Sequence, residues 1–372
     1  MIEPYPFLHR LRVHADQSRG QLWQLAVALL AATLISIHSA SARSITGERV
    51  AESFALPVLQ DLLEAAGETE GKLMRLCEAP SEAALTTARD AFSNLVRAWG
   101  RVTILRFGPL TSENRFDRLF FWPDPRGIAL RQVQQVLAKG EADLSGLGEG
   151  SVALQGLPAL EFVLFGTGAS EMTNADDDFR CRMAHAIAAN IVSVATETRD
   201  SWRADTEFSR TFRAPDPQSD LYRTANEVDV EVIKALTTLF QYVRMAELLP
   251  AMGDSLETAR GRRAPLWRSM LTFELAAQQL TAANDLLRTA GYRSRLPEER
   301  RWVVDTIRIE IETAIRLLSE IETDPQNAFG IPDDRNNIAF AMSAVARADT
   351  ILLRYLTQLL GLYVGFNALE GD

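Results

Sequence analysis

Histidine and cysteine are scarce in this chain of 372 residues, with 4 and 2 copies, and that scarcity limits its chemistry. Three of the histidines, His9, His14 and His38, fall within the first 42 residues, so the remainder holds His185 alone. No H-E-x-x-H pair, nucleophile elbow, P-loop or dinucleotide fingerprint occurs. Basic clusters are also lacking. The densest, Arg260 to Arg263, is short, and a formal charge of -10 disfavours a nucleic-acid surface, which needs a basic face. Long strand-like alternation is absent; only Val102 to Leu105 is β-branched in character, too short for a sheet.

The first 42 residues read as an address. Arg10, Arg12 and Arg19 precede the apolar run Leu22 to Ile37, and Ala40-Ser41-Ala42 supplies the small residues of a cleavage site. As a helix that run spans roughly 24 Å, short of the ~30 Å core of a bilayer. The reading is a cleaved signal peptide over 1–42, with an uncleaved anchor as the alternative. No cysteine follows it directly, which argues against a lipid anchor. Cleavage leaves a periplasmic chain with no membrane span.

Beyond the signal the pattern is helical almost throughout. Val304, Ile307, Ile311, Ala314 and Leu318 recur at steps of three and four, one stripe of a helix. Similar stripes run through 85–99, 180–202, 228–249, 267–287 and 338–362, and Pro297-Glu298-Glu299 and Pro332-Asp333-Asp334 fit helix first turns. The prolines at Pro215 and Pro217 mark a division, giving helical bundles over 43–212 and 213–372. With 47% hydrophobic residues the chain can bury one large core or two ordinary ones. Cys77 and Cys181 lie in helical contexts; an oxidising compartment allows a bridge between them but does not compel it, and buried free thiols, common in such contexts, are the expected state. Cys181 and His185 are spaced for two metal ligands on one helix face, but two further soft ligands are missing.

Two stretches carry candidate chemistry. In Gln155 to Gly168, glycines bracket a short helix that Pro158 opens and in which Glu161 is the one charge among Leu160, Phe162, Val163, Leu164 and Phe165. A helix apolar all round is buried, and a buried carboxylate needs a partner. The second stretch runs from Arg106 through Asn114-Arg115 to Phe121-Trp122-Pro123-Asp124-Pro125-Arg126-Gly127 and Arg131. It reads either as a structural loop pinned by arginine or as a pocket wall. Arg106, Arg115, Arg126 and Arg131 outnumber the nearby acids, so one of them, or a backbone N–H of the loop, is the expected donor to Glu161 in a polar pocket beside Trp122.

Taken in order, RFGPL, NR, FWPDPRG, LEFVLFG, RRAPLWRS at Arg262 to Ser269 and the ending GFNALEGD at Gly365 to Asp372 resemble the imelysin-like proteins. That family's signature is a glycine, any residue, a histidine, two residues and a glutamate. Gly156 and Glu161 match it; Pro158 stands where the histidine belongs, as in a branch whose histidine motif has drifted. The resemblance implies an all-α fold of two packed bundles, an export-side location and an association with iron or other metal acquisition. Proline offers no ligand atom, so no metal, cofactor or catalytic residue is assigned. The expected function is binding of a small ligand, metal complex or periplasmic partner through Glu161, Arg106, Asn114, Arg115, Trp122, Asp124, Arg126, Arg131, Gly156 and Pro158. The alternative is an imelysin-type peptidase with Glu161 as general base.

Overall fold

The computed structural model describes residues 44–174 and 178–365, and every regular element among them is helical. The leader expected at 1–42 and all but Gly365 of the GFNALEGD ending lie outside the described residues.

Helix α1 (Ile45–Val50) begins at Ser44, whose Oγ accepts from the Gly47 N–H at 3.0 Å. It runs through a π turn, Ala51–Ala55, into α2 (Leu56–Glu78). Pro57 accounts for the wide turn, because its missing N–H and its ring do not fit an uninterrupted α-helix. Helix α3 (Glu82–Val102) is capped by Ser81 and buries Leu85, Phe92, Leu95 and Trp99 along one stripe. Short helices α4 (Arg115–Leu119), α5 (Ile128–Lys139) and α6 (Leu157–Phe165) follow, then the long α7 (Asp178–Asp200), which packs on α2, as does α3. Helix α8 (Glu207–Arg213) comes next, so the expected division near 212 falls at a helix end.

The rest of the chain builds α9 (Ala225–Gln241), α10 (Thr272–Ala290), α11 (Trp302–Ser319) and α12 (Pro332–Ile351). Helix α11 packs against both α10 and α12. A second π turn, Tyr242–Leu248, precedes Pro250, for the reason given at Pro57. The stripe expected to start at Trp267 starts at Thr272 instead, since 265–271 is a turn segment. Val102 to Leu105, the β-branched stretch, closes α3 as a tight helical turn.

Helix α3 also packs on α10. Their approach is set by Gly100, where an added Cβ would sit 2.8 Å from Gln278 Cβ and 3.3 Å from the Leu275 carbonyl oxygen. Glycine inside a helix costs about 1 kcal/mol relative to alanine, and here the close contact offsets it. An ion pair on the buried Asp229 ties distant segments together: the guanidinium of exposed Arg295 donates to both oxygens of Asp229, at 2.8 and 2.9 Å, and Thr46 Oγ1 donates to Asp229 Oδ1 at 2.6 Å. Arg213, nearly fully buried, donates to Glu52, Ser209 Oγ and the Trp202 carbonyl, which fixes α8 against the first π turn.

Cys77 and Cys181 form a disulfide that joins the end of α2 to the start of α7. The bridge is found in place of the expected free thiols. It also removes Cys181 as a thiolate ligand beside His185, whose Nε2 instead lies 3.8 Å from Glu70.

Candidate functional site

Helix α6 is short and deeply set: Leu157, Ala159, Leu160, Glu161, Phe162, Val163 and Leu164 are all buried. It begins one residue earlier than Pro158 suggests, with Gly156 as its cap, so Glu161 lies in the second turn. Gly156 is obligatory here. A Cβ at that position would fall 2.3 Å from the Leu119 carbonyl oxygen. At the other end, buried carbonyls need donors. Arg180 serves Val163 and Thr167 at 3.2 and 3.0 Å, and Arg89 serves Leu164 at 2.9 Å. Cations at a helix C-terminus also suit its dipole.

Glu161 is 3% exposed, in line with its apolar neighbours. Its donors are not the ones expected. Oε1 accepts from the Ser269 N–H at 2.9 Å and the Ser269 hydroxyl at 3.0 Å, and Oε2 faces the Arg268 guanidinium at 4.0 Å. The expectation that an arginine or N–H of the 106–131 loop would satisfy Glu161 is therefore corrected: residues 268–269 do so, Arg106, Arg115 and Arg131 make other contacts, and Arg126 is exposed. Burial pushes the Glu161 carboxyl above its usual range, against the lowering effect of Ser269 and Arg268. The turn that aims Ser269 holds Leu266 and Met270 in the left-handed region, at φ 53° and 66°. Two such non-glycine residues cost on the order of 1 kcal/mol each, so packing must impose this shape.

A cavity of about 430 Å³ opens beside this carboxylate. Its walls are the loop 121–127, one face of α5, the start of α6, Ala246 within the second π turn and Pro250 after it, and the segment 262–268. The loop is pinned by Trp122, whose Nε1 donates to the Ala246 carbonyl at 3.1 Å and whose own carbonyl accepts from the Tyr242 hydroxyl at 3.0 Å.

Of the residues expected at the site, Trp122, Asp124, Pro158 and Glu161 line this cavity. Asp124 spends both oxygens on the N–H groups of Ile128 and Ala129, at 2.8 Å each, so it acts as the cap of α5. The others stand apart from the cavity wall. Arg106 lies over Phe116 at 4.2 Å and Tyr242 at 5.1 Å. Asn114 takes a left-handed conformation at the start of α4. Arg115 pairs with Glu113 at 2.9 Å and Glu197 at 3.4 Å, and also donates to the Pro109 carbonyl. Exposed Arg131 donates to the Arg126 carbonyl, and Gly156 packs on Leu119. The first part of the loop is thus structural and only its second part is a pocket wall. Sequence reasoning missed Arg262, Arg268 and Ser269, although the run RRAPLWRS had been singled out for its resemblance.

The metal that the resemblance implies does not fit these residues. Pro158 supplies no ligand atom, Asp124 is committed to backbone, and among the described residues no group of three histidine, cysteine, aspartate or glutamate side chains could hold an ion.

Replacing Glu161 by alanine strands the buried Ser269 N–H and removes the carboxylate facing Arg268. The expected loss is ~3 kcal/mol, against ~1 kcal/mol for Glu161→Gln, which keeps an acceptor. Urea unfolding of both variants tests this. A loss below ~0.5 kcal/mol for Glu161→Ala would mean that the bonds to Ser269 contribute nothing.

Three comparisons bear on kinship. At 24% identity the chain resembles the GTPase Der of Moorella thermoacetica over 68% of its own length and 54% of that protein's, so it spans about half of that relative. The P-loop missing from the sequence leaves no basis for carrying a nucleotide activity across. Two crystal structures share the fold: an imelysin-like protein from Psychrobacter arcticum, with a TM-score of 0.69, 18% identity and coverage of 86% of this chain and 96% of that one; and a protein described as an iron-regulated protein A precursor from Parabacteroides distasonis, with a TM-score of 0.70, 14% identity and coverage of 85% and 94%. The Imelysin family profile matches residues 55–352, well over half the chain, and spans every wall of the cavity. The chain belongs to the imelysin family.

Proposed function

We propose that this is an exported, non-enzymatic binding protein of the imelysin family, which holds a small ligand or metal complex in the cavity beside Glu161 and serves iron or other metal acquisition. The observation that carries this reading is the cavity itself, walled by aromatic side chains with a few fixed polar groups, as small-molecule sites are. The signal-like pattern at 1–42 and the disulfide favour an oxidising, extracytoplasmic setting. Among the described residues no helix is long and apolar enough to cross a membrane. The link to iron rests on the family and on the iron-regulated description of a structural relative.

The peptidase reading has less support. A general base needs a water or nucleophile on its free oxygen, and here Oε1 accepts from Ser269 while Oε2 faces a guanidinium. A histidine to carry the proton is missing from the cavity wall. Native mass spectrometry of protein purified from the periplasm of a producing cell is expected to show a small-molecule adduct that Leu130→Trp, a cavity-filling change, abolishes. The same samples should release no peptides from casein. Peptide release lost on Glu161→Gln would establish the peptidase reading instead.

A further inference from the structure

The cavity reverses the charge of the molecule around it. The protein carries -10 overall, yet the cavity wall holds Arg262, Arg263 and Arg268 against only Asp124 and Glu161. Only Arg268 faces one of these acids, so Arg262 and Arg263 have no acid partner on the wall. Asp124 is held by the first N–H groups of α5, and Glu161 Oε1 is held by Ser269, with only Oε2 turned toward Arg268 at 4.0 Å.

The arginines are also brought together without an acid between them. Arg268 lies over the Trp267 ring at 4.3 Å and Arg262 over the same ring at 5.2 Å, close enough for the two cations to repel. Arg268 also lies over Phe162 at 5.2 Å. Arg262 donates to Gln326, a neutral partner, at 3.0 Å, and Arg263 makes no ion pair among the described residues. Guanidinium groups stacked on aromatic rings are oriented before a ligand arrives, and their outward N–H groups suit carboxylate, sulfonate or phosphate oxygens. Between them and Trp122 the wall is apolar, supplied by Leu130, Val133, Pro158 and Phe162.

Resting on the binding-protein reading, we propose that the cavity takes an organic anion with an apolar or aromatic body, its charged group seated on Arg268 and the Arg262–Arg263 rim and its body against Trp122 and Phe162. A neutral hydrophobe lacks the group that would relieve the clustered cations. An organic cation meets repulsion. A metal complex enters by the same chemistry when its chelator carries the negative charge.

Two fluorescent probes with one aromatic skeleton test this: 8-anilinonaphthalene-1-sulfonate, an anion, and N-phenyl-1-naphthylamine, its neutral counterpart. The anion should bind one to one and more tightly than the neutral probe. Arg268→Gln should weaken it about tenfold to a hundredfold, the scale of one charge-assisted hydrogen bond, while the neutral probe is unaffected. Arg262→Gln with Arg263→Gln, both at exposed positions, should weaken it in the same sense in a fully folded protein. Equal binding of the two probes, both lost in Leu130→Trp, would overturn the anion assignment and keep the pocket. Binding of either probe that survives Leu130→Trp unchanged would overturn the pocket as well. Salicylate, added alone and with ferric ion, separates the sources. Displacement by the metal-free acid assigns a free organic acid, and displacement only with iron assigns the chelate.

Discussion

The parent protein is expected to lose stability as pH rises from about 4.5 through about 8, and Glu247→Gln is expected to flatten that loss. Glu247 sits in the π turn before Pro250, 1% exposed, and turns inward while its neighbour Ala246 faces the cavity. Its Oε1 accepts from the Gln279 side-chain amide at 2.9 Å, and its Oε2 has no donor among the described residues. Burial pushes its carboxyl up to about 8, the bond from Gln279 opposing that only in part. In the unfolded chain it titrates near 4.5. The folded state therefore holds the extra proton between these values, and the associated stability is full below the unfolded value and lost as pH rises through the folded one. At 1.36 kcal/mol per unit, the loss by pH 9 is about 4 to 5 kcal/mol. Glutamine has the same shape, still accepts from Gln279 and has no proton to lose. Urea midpoints of parent and variant from pH 5 to pH 9 decide the matter: the curves should diverge with rising pH, and parallel curves would assign the alkaline loss to other groups. Glu161 contributes with the same sign, since its carboxyl is also raised by burial.

Glu161 and Glu247 differ in how far the sequence could reveal them. Glu161 stands alone in a run of large apolar residues, so its burial was legible from local composition. Its partner was not. Ser269 is 108 positions away and contributes a backbone N–H, which no residue type announces. The loop arginines outnumber nearby acids in sequence, but Arg106, Arg115 and Arg131 are taken up by rings, carbonyls and the distant Glu197, through folding that brings α7 against the loop, and Arg126 is exposed. Glu247 lies in a stripe correctly read as helical, four residues after buried Val243 and eight after Leu239, but its immediate neighbours include the charged Arg244 and nothing in local composition marks it as buried. Helix α2 is legible in the sequence only as the helical context of Cys77, without a stripe, because Pro57, Gly67 and Gly71 interrupt the one that Leu59, Leu62, Ala66, Leu73 and Leu76 nonetheless complete. In α5 only Ala129 and Val133 are buried, too few to set a period. The all-α class was legible since long stripes dominate and no described stretch alternates as a strand.

Breaking the Cys77–Cys181 bridge should produce a loss of similar size by a different route. The bridge closes a loop with a sequence separation of 104, and a loop of ~100 residues corresponds to about 4.7 kcal/mol in the chain-entropy account. That loop contains Trp122, Pro158 and Glu161, while Arg262, Arg268 and Ser269 lie outside it. The cavity is thus assembled from a covalently closed segment and an open one. In the folded state α2 already packs with both α3 and α7, and neither cysteine lines the cavity. Removing the bridge therefore acts mainly by freeing the unfolded chain. Cys77→Ala with Cys181→Ala should lower the unfolding free energy by about 4 kcal/mol and leave the affinity for the anionic naphthalene probe unchanged. The parent protein treated with reductant should match the double variant. Identical unfolding midpoints with and without reductant would show that the bridge does not restrain the chain. Alkylation of both cysteines in unfolded, unreduced protein would show that it does not form. A fall in probe affinity before any loss of helical signal would instead mean that the bridge shapes the folded cavity itself.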